Sequence, residues 1–267
     1  MVLIIYDKER QNGNERFSQL LGAGLSKRGI EFKTILDSEI DDKTIADCAI
    51  MRTFSDKLCE KLKQLQIPQL NCARMQRTAN DKAATYGFAK SLGIPVLKHY
   101  VIKSSYSDIP IFTPFVAKSR FGHGGTQVFL VKNDSEYKET VAKIGEETFI
   151  AQECADFGKD KRVYVVGGKP IIAMLRTNEN DFRSNYKLGG KALKVEVGEA
   201  ESEYIQRIHG SIKTNFVGVD FVYRNNIAYL NEIEDIVGSR MVYENTDIDI
   251  LDLYAQHIKE YLVEKNK

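Results

Sequence analysis

The sequence predicts a mixed α/β protein built in two or three lobes, and three stretches carry that prediction. Strand and helix patterns alternate over the first 52 residues, Pro114 to Val131 reads as strand, glycine loop, strand, and Phe216 to Glu234 reads as a hairpin with an acidic edge. A chain of 267 residues that is 43% hydrophobic can bury a substantial core.

Taken in order, Val2–Tyr6, a periodic stretch from Arg16 to Arg28, Phe32–Leu36 and Cys48–Arg52 read as strand, helix, strand, strand, a small α/β lobe over residues 1–75. Asn80 or Asp81 caps a helix that carries Lys82, Tyr86, Phe88 and Leu92 and ends at Gly93 and Pro95. His99–Lys103 and Phe115–Lys118 open an antiparallel sheet, with Ser135–Ile144 as its covering helix, and a second lobe covers residues 76–149. The third, residues 150–267, has strands at Phe149–Glu153, Arg162–Val166 and Pro170–Leu175. Between Arg176 and Lys191 lies a polar, glycine-terminated stretch with no period, too long for an idle loop, which we expect to order over a substrate. Glu199–Lys213 is a helix by spacing, and Ile248–Val263 closes the chain as an amphipathic helix whose stripe is Leu251, Leu253, Tyr254, Ile258 and Leu262.

The chemistry concentrates at two places. In the segment from Val219 to Arg240, Asp220 sits in an apolar run, and Glu232 and Glu234 alternate with Leu230 and Ile233, which places both glutamates on one strand face. A turn at Arg224-Asn225-Asn226 would set Asp220 beside them. Three convergent carboxylates repel one another unless a cation lies among them, and oxygen-only ligands favour Mg²⁺ or Mn²⁺, usually together with substrate phosphates. Upstream, an apolar strand ends in Lys118 and is followed by Arg120, Gly122, Gly124 and Gly125, a loop whose backbone N–H groups can close on phosphate oxygens while Lys118 and Arg120 supply charge to them. It is not a Walker loop, because no helix-opening Gly-Lys-Ser/Thr follows.

The order of these parts resembles the ATP-grasp superfamily, and most closely the RimK-type amino-acid (α-L-glutamate) ligases. The matching segments run from Arg77–Val96 through Pro114–Gly125, Ile150–Cys154, Lys159–Lys169, Asp181–Gly190 and Gly218–Val222 to Asn231–Gly238, and Asp181-Phe182-Arg183-Ser184-Asn185 with its Gly-Gly is the most specific. The resemblance implies two lobes clasping ATP behind a small Rossmann-like N-terminal domain. It implies that Lys82 and Lys118 contact ATP phosphates, that Gln152, Glu153 and Cys154 read adenine and ribose, and that Asp160 lies near the ribose. It places Arg183, Ser184 and Asn185 at the phosphates and the developing acyl phosphate, with Arg183 and Asn185 catalytic. Asp220, Glu232 and Glu234 would hold two Mg²⁺ (or Mn²⁺) ions. The implied reaction is ADP-forming ligation of a carboxylate to an amine, such as glutamate or another amino acid joined to a small acid, a peptide or a protein tail. Two departures stand out: the last metal position is usually Asn and is Glu234 here, and the usual Asn-x-x-Pro-Gly turn reads Glu234-Asp235-Ile236-Val237-Gly238.

Global features agree with a cytoplasmic enzyme, and a homo-oligomer is compatible with them. A formal net charge of +1 gives no general attraction to nucleic acid or anionic membrane. No apolar run is long enough to span a bilayer, and the N-terminus meets Asp7, Lys8, Glu9 and Arg10 at once, unlike a signal peptide. Cys48, Cys59, Cys72 and Cys154 lack CxxC spacing and read as reduced, buried thiols. His123 in the glycine loop could reach a phosphate, whereas His99, His209 and His257 read as packing or surface residues. Arg74, Arg77, Ser239, Arg240 and Tyr243 are candidates for binding a substrate carboxylate. Two other classes compete with the ligase: a non-catalytic ATP sensor, suggested by Glu234, and an RNA or protein adaptor built on the basic runs Lys159–Arg162, itself read as a solvated turn, and Lys187–Lys194.

Overall fold

The computed structural model describes residues 1–105, 113–122, 124–125, 127–184 and 190–265, arranged as three sheets with helices on their faces. Strand β1 (Val2–Tyr6), helices α1 (Lys8–Gln11) and α2 (Glu15–Ser26), strands β2 (Phe32–Leu36) and β3 (Cys48–Met51), helix α3 (Asp56–Gln64) and strand β4 (Gln69–Leu70) form the first lobe. Its sheet is parallel, in the order β2-β1-β3-β4. Every residue of β1 and β3 is buried, as expected of parallel strands covered on both faces. Helix α3 and strand β4 extend this lobe beyond the strand, helix, strand, strand pattern expected from the sequence.

Helices α4 (Ala73–Ala79) and α5 (Lys82–Ser91) lead into the second sheet. Asp81 caps α5 by accepting hydrogen bonds from Ala83 N and Ala84 N, which fixes Lys82 at the first helical position. The sheet comprises β5 (His99–Lys103), β6 (Phe115–Ser119) and β7 (Val128–Val131), then, after helix α6 (Asp134–Ile144), β8 (Thr148–Glu153). Its order is β5-β8-β6-β7, so β5 does not pair with β6 as the sequence suggested. Strand β8 inserts between them, antiparallel to both.

The third sheet, in the order β11-β10-β9-β12-β13, is antiparallel throughout. It contains β9 (Lys159–Val166), β10 (Lys169–Thr177) and β11 (Lys191–Val195), then, beyond helix α7 (Glu199–Ser211), β12 (Phe216–Arg224) and β13 (Ile227–Glu234). Helices α8 (Arg240–Asn245) and α9 (Ile250–Lys265) follow. The hairpin turn forms as expected, with Asn225 and Asn226 both at positive φ (52° and 62°), the geometry of a two-residue primed turn. Lys159–Arg162 is not a solvated turn: it opens β9, with Asp160 and Arg162 buried.

One face of this sheet, through Val163, Val165, Val217, Val219 and Phe221, packs on α4, α5 and α7. The other, through Tyr164, Val166 and Phe216, shares a core with β1, β3, α2 and α9, which ties the first lobe to the third. Helices α2 and α9 approach closely at Gly24, where a Cβ would lie 2.9 Å from the Ala255 Cβ. The buried stripe of α9 is Leu251, Tyr254, Ala255 and Ile258, and Leu253 is exposed, because two residues beyond Leu251 lies the opposite side of a helix. Arg28 clamps the same helices, its Nη1 and Nη2 donating to Asp252 Oδ1 and Oδ2 at 2.6 and 2.8 Å. Those hydrogen bonds hold the Asp252 carboxyl below its ordinary value. Asp252→Asn is expected to cost about 1 kcal/mol in denaturant unfolding. Because the folded value is depressed, the difference is present above the unfolded aspartate value of about 3.9 and is lost as pH falls through the lower folded value. A difference that persisted unchanged at more acid pH would contradict this assignment.

Candidate active site

Strand alternation sends Asp160 and Arg162 of β9, Arg176 of β10, Asp220 of β12 and Glu232 and Glu234 of β13 to one face of the third sheet. Register sets them side by side: Arg176 lies opposite Asp160, Arg162 opposite Asp220, and Asp220 opposite Glu232. Arg162 is the centre of this row. Its Nε and Nη2 donate to the two Asp220 oxygens, each at 2.7 Å, and its Nη1 and Nη2 donate to Glu234 at 2.6 and 2.7 Å. Arg176 forks onto Asp160 at 2.7 and 2.5 Å and adds a 2.7 Å bond to Asp220. Gly218 leaves room for this arrangement, since a Cβ there would sit 3.4 Å from Arg162 Cδ and 2.8 Å from Val237 Cγ2.

Burial alone would raise the Asp220 carboxyl, but Arg162 and Arg176 overcome it and hold it at about 2. At Glu234 burial wins: its pKa is raised, with Arg162 offsetting only part of the effect and the Asp220 and Glu232 charges adding to it. Oxygens of Asp220, Glu232 and Glu234 all lie within 4.8 Å of one another, a spacing one divalent cation could span.

Lys82 and Lys118 face the row from the second lobe. Lys82 Nζ lies 3.2 Å from Glu232 Oε1 and also donates to the Gly122 carbonyl. Lys118 Nζ donates to Asn231 Oδ1 at 2.6 Å. Asn231 is the extra residue of a bulge, because Asp220 pairs with Glu232 and Phe221 with Leu230, and the bulge turns its side chain toward Lys118. Burial, reinforced by Lys82, pulls the Lys118 ammonium down to about 8. Four cations, Lys82, Lys118, Arg162 and Arg176, thus meet four carboxylates, Asp160, Asp220, Glu232 and Glu234.

A cleft between the second and third sheets is lined by Lys82, Lys118, Gly122, Gly124, Gly125, Gln152, Glu153, Asp160, Arg183, Ser184, Asp220 and Glu232. The structure therefore brings together most of the residues singled out from sequence. Glu153 is held by Arg224 at 2.6 Å, and Gln152 is buried with an Nε2 that meets no acceptor among the described residues. Arg183 pairs with Asp181 at 2.7 Å and reaches the Gly125 carbonyl at 3.2 Å, so it spans from the third lobe to the glycine loop. Its segment is docked on the turn at Gly158, through Gly158 N to Phe182 O and Asn178 N to Gly158 O. Cys154 is outside the cleft lining, and its Sγ donates to the Pro114 carbonyl. Arg120 is not directed at the cleft: it forks onto Asp81 at 2.8 and 2.6 Å and fastens the glycine loop to the start of α5. Asn185 and His123 lie outside the described residues, as does Lys187. Arg162 and Arg176 escaped the sequence reading. The signal available was their alternation with Val163, Val165 and Leu175.

A second cavity of about 310 Å³ adjoins the first, sharing Gly124 and Arg176 with it. It opens toward the N-terminal lobe and is lined by Arg10, Arg52, Arg162, Glu234, Asp235 and Arg240, among others. Of the proposed carboxylate binders only Arg240 lines it. Arg77 pairs with Asp56, Arg74 bonds the Ser211 carbonyl, Ser239 is buried, and the Tyr243 ring lies under Arg16.

Comparison with known proteins places this geometry. The family model described as RimK-like ATP-grasp domain matches residues 94–258, more than half of the chain. A protein named "Uncharacterized protein MG011 homolog" from Mycoplasma pneumoniae is 28% identical over 248 residues, 89% of this chain and 85% of that protein. A probable alpha-L-glutamate ligase of Pasteurella multocida is 26% identical over 244 residues, 87% of this chain and 75% of that protein. Among solved structures, D-alanine–D-alanine ligase from Bacillus anthracis, complexed with ATP, superposes with a TM-score of 0.75 at 13% identity, covering 99% of this chain and 97% of that one. The ATP-grasp ligase PsnB, complexed with minimal precursor, Mg and ADP, gives a TM-score of 0.70 at 13% identity, covering 100% of this chain and 97% of that one.

Proposed function

The chain belongs to the RimK-like ATP-grasp family, and on that premise we propose that it joins a carboxylate to an amine with conversion of ATP to ADP and phosphate. The observation that carries this reading is the carboxylate triad Asp220, Glu232 and Glu234 set against Lys82, Lys118 and the glycine loop in one cleft. In this reading residues 76–153, which take in the whole of β8, form the upper lobe and residues 154–267 the metal-bearing one, behind an N-terminal domain of residues 1–75.

The residues present fit the groups the family implies. The clustered carboxylate oxygens suit a hard divalent cation, and the Gln152 Nε2, without a hydrogen bond among the described residues, is a donor for an acceptor atom of the base. Because the cleft holds as many carboxylates as cations, a triphosphate gains no net attraction from the protein alone, which favours entry with Mg²⁺. Asp220, Glu232 and Glu234 would hold one or two Mg²⁺ (or Mn²⁺) ions, which supply charge neutralisation at the phosphates. Lys118, Lys82 and the backbone of Gly122, Gly124 and Gly125 position the triphosphate, and Arg183 reaches the transferred group from its perch beside Gly125. Phosphorylation of the acid gives an acyl phosphate, the amine attacks its carbonyl carbon, and phosphate leaves. Gln152 and Glu153 face the base and ribose. Asp160, locked by Arg176, acts by fixing that arginine.

Nucleotide affinity measured without metal is expected to fall as pH rises through about 8, because Lys118 loses its proton there. A flat profile across that range would remove Lys118 from the phosphate site. The function itself is tested by ADP release with Mg-ATP and a pool of amino acids and small acids, with Glu232→Gln as the control. ADP and a new amide, both missing in the control, support the ligase. The Arg162 fork across Asp220 and Glu234 is the observation that favours a second reading, a nucleotide sensor whose metal ligands stay engaged by arginine. That protein would bind ATP and release no ADP with any acceptor.

A further inference from the structure

We infer that Phe157 is a positioning residue: through Phe182 it holds Arg183 over the phosphate end of the cleft. The assignment rests on the ligase reading, in which Arg183 meets the transferred phosphoryl group. Phe157 lies between β8 and β9 and is 56% exposed. A solvent-facing ring is ordinary on a protein surface, but of the large apolar side chains that the described residues expose, Phe157 alone lines the cleft. Its ring meets that of Phe182 edge-on, with centroids 6.3 Å apart and planes at 64°. The Arg183 guanidinium in turn lies over the Phe182 ring, 5.7 Å from its centre. The three side chains form one stack that begins in solvent and ends beside the glycine loop, where Arg183 reaches the Gly125 carbonyl.

The backbone ties the same residues together. Gly158 N donates to the Phe182 carbonyl at 2.9 Å and Asn178 N to the Gly158 carbonyl at 2.8 Å, so the segment that carries Arg183 hangs on the residue next to Phe157. Gly158 has φ of +63°, and a Cβ there would run into the Asn178 carbonyl oxygen, so the two stretches of chain touch with no room for a side chain. Upstream, Asp156 N donates to the Tyr223 carbonyl at 2.8 Å, which anchors the turn on β12, the strand of Asp220. Phe157 and its turn thereby set Arg183 against the strand of the carboxylate row. The ion pair of Arg183 cannot do this, because its partner Asp181, at 2.7 Å, belongs to the same segment and moves with it. Asp181 takes Nε and Nη2, and Nη1, 3.2 Å from the Gly125 carbonyl, is the donor that faces the place where the glycine loop would hold a phosphate. Without the Phe157 ring, Phe182 loses its support on that side and the guanidinium its fixed geometry, on which a charge-assisted bond to phosphate depends.

The test is calorimetric titration of the full chain, in Mg²⁺, with ADP and with a non-hydrolysable ATP analogue. The ratio of the two affinities reads the contact to the terminal phosphate without requiring turnover. Arg183→Ala should cut the preference for the analogue by about tenfold or more. Phe157→Ala should cut it by about fivefold, leave ADP affinity within about twofold, and melt within about 2 °C of wild type, since the ring it removes is largely in solvent. Phe157→Tyr, which keeps the ring, should keep the wild-type ratio. Added to Arg183→Ala, Phe157→Ala should change nothing further, because a positioning residue acts only through the group it positions. A Phe157→Ala protein with the wild-type ratio, beside an Arg183→Ala protein that has lost it, would overturn this assignment alone. So would equal losses of ADP and analogue, or a further loss in the Arg183→Ala background, since either makes the ring a direct contact of the nucleotide. If Arg183→Ala left the ratio unchanged, Arg183 would not meet the terminal phosphate, and this assignment would fall with that role. Failure of the wild type to bind either nucleotide would overturn the ligase reading, and this assignment with it.

Discussion

Arg162→Met is expected to destabilise the protein by about 3–5 kcal/mol, since it strips the shared cation from Asp220, which is buried, and from Glu234 on the cavity wall. Arg176 remains beside Asp220 and tempers the loss there, but Glu234 has no other cation within ion-pair distance among the described residues. Urea unfolding of the two proteins measures the difference. Millimolar Mg²⁺ should then stabilise the variant more than the wild type, because in the variant the metal no longer shares these oxygens with a guanidinium. If the variant lost less than about 1 kcal/mol and gained nothing from Mg²⁺, the row would not be the tightly coupled unit its geometry indicates.

Glu232→Gln is expected to lower the rate of ATP turnover by about a thousandfold while the protein stays folded. Of the three clustered carboxylates, Asp220 and Glu234 are forked by Arg162, whereas among the described residues Glu232 forms an ion pair with the Lys82 ammonium alone, at 3.2 Å. It is therefore the ligand most readily offered to a metal. Its amide keeps the shape and an acceptor oxygen but not the charge, so the half-saturating Mg²⁺ concentration should rise along with the loss of rate. Turnover within about tenfold of wild type at saturating Mg²⁺ would take Glu232 out of the metal site.

What could be read from the sequence is what depends on local pattern. Asp220, Glu232 and Glu234 are legible because strand alternation and a two-residue turn suffice to bring them together. Lys82 is legible through its cap, and Lys118 through the strand and glycines around it. Arg162 and Arg176 are not, because a charged strand opening looks like a solvated turn until its register against β12 is known. Strand β8 reads from the sequence as part of the third lobe yet pairs with β5 and β6 of the second, since antiparallel pairing depends on contacts distant in sequence. Arg120 illustrates the converse error: next to glycines it looked like a phosphate ligand, yet the helix cap Asp81 lies closer. Arg52 and the cavity it lines arise only where the first and third lobes meet, which no local pattern encodes.

If this cleft makes an acyl phosphate, hydroxylamine in place of the unidentified amine will trap it. Purified protein would be incubated with Mg-ATP, hydroxylamine and a panel of amino-acid, peptide and small-acid carboxylates, and hydroxamate, ADP and phosphate would be quantified together. At least one acid should yield the three products in equal amounts, and Glu232→Gln should yield none above background. Nucleotide binding with no hydroxamate and no ADP from any acid of the panel would contradict acyl phosphate formation and favour the sensor.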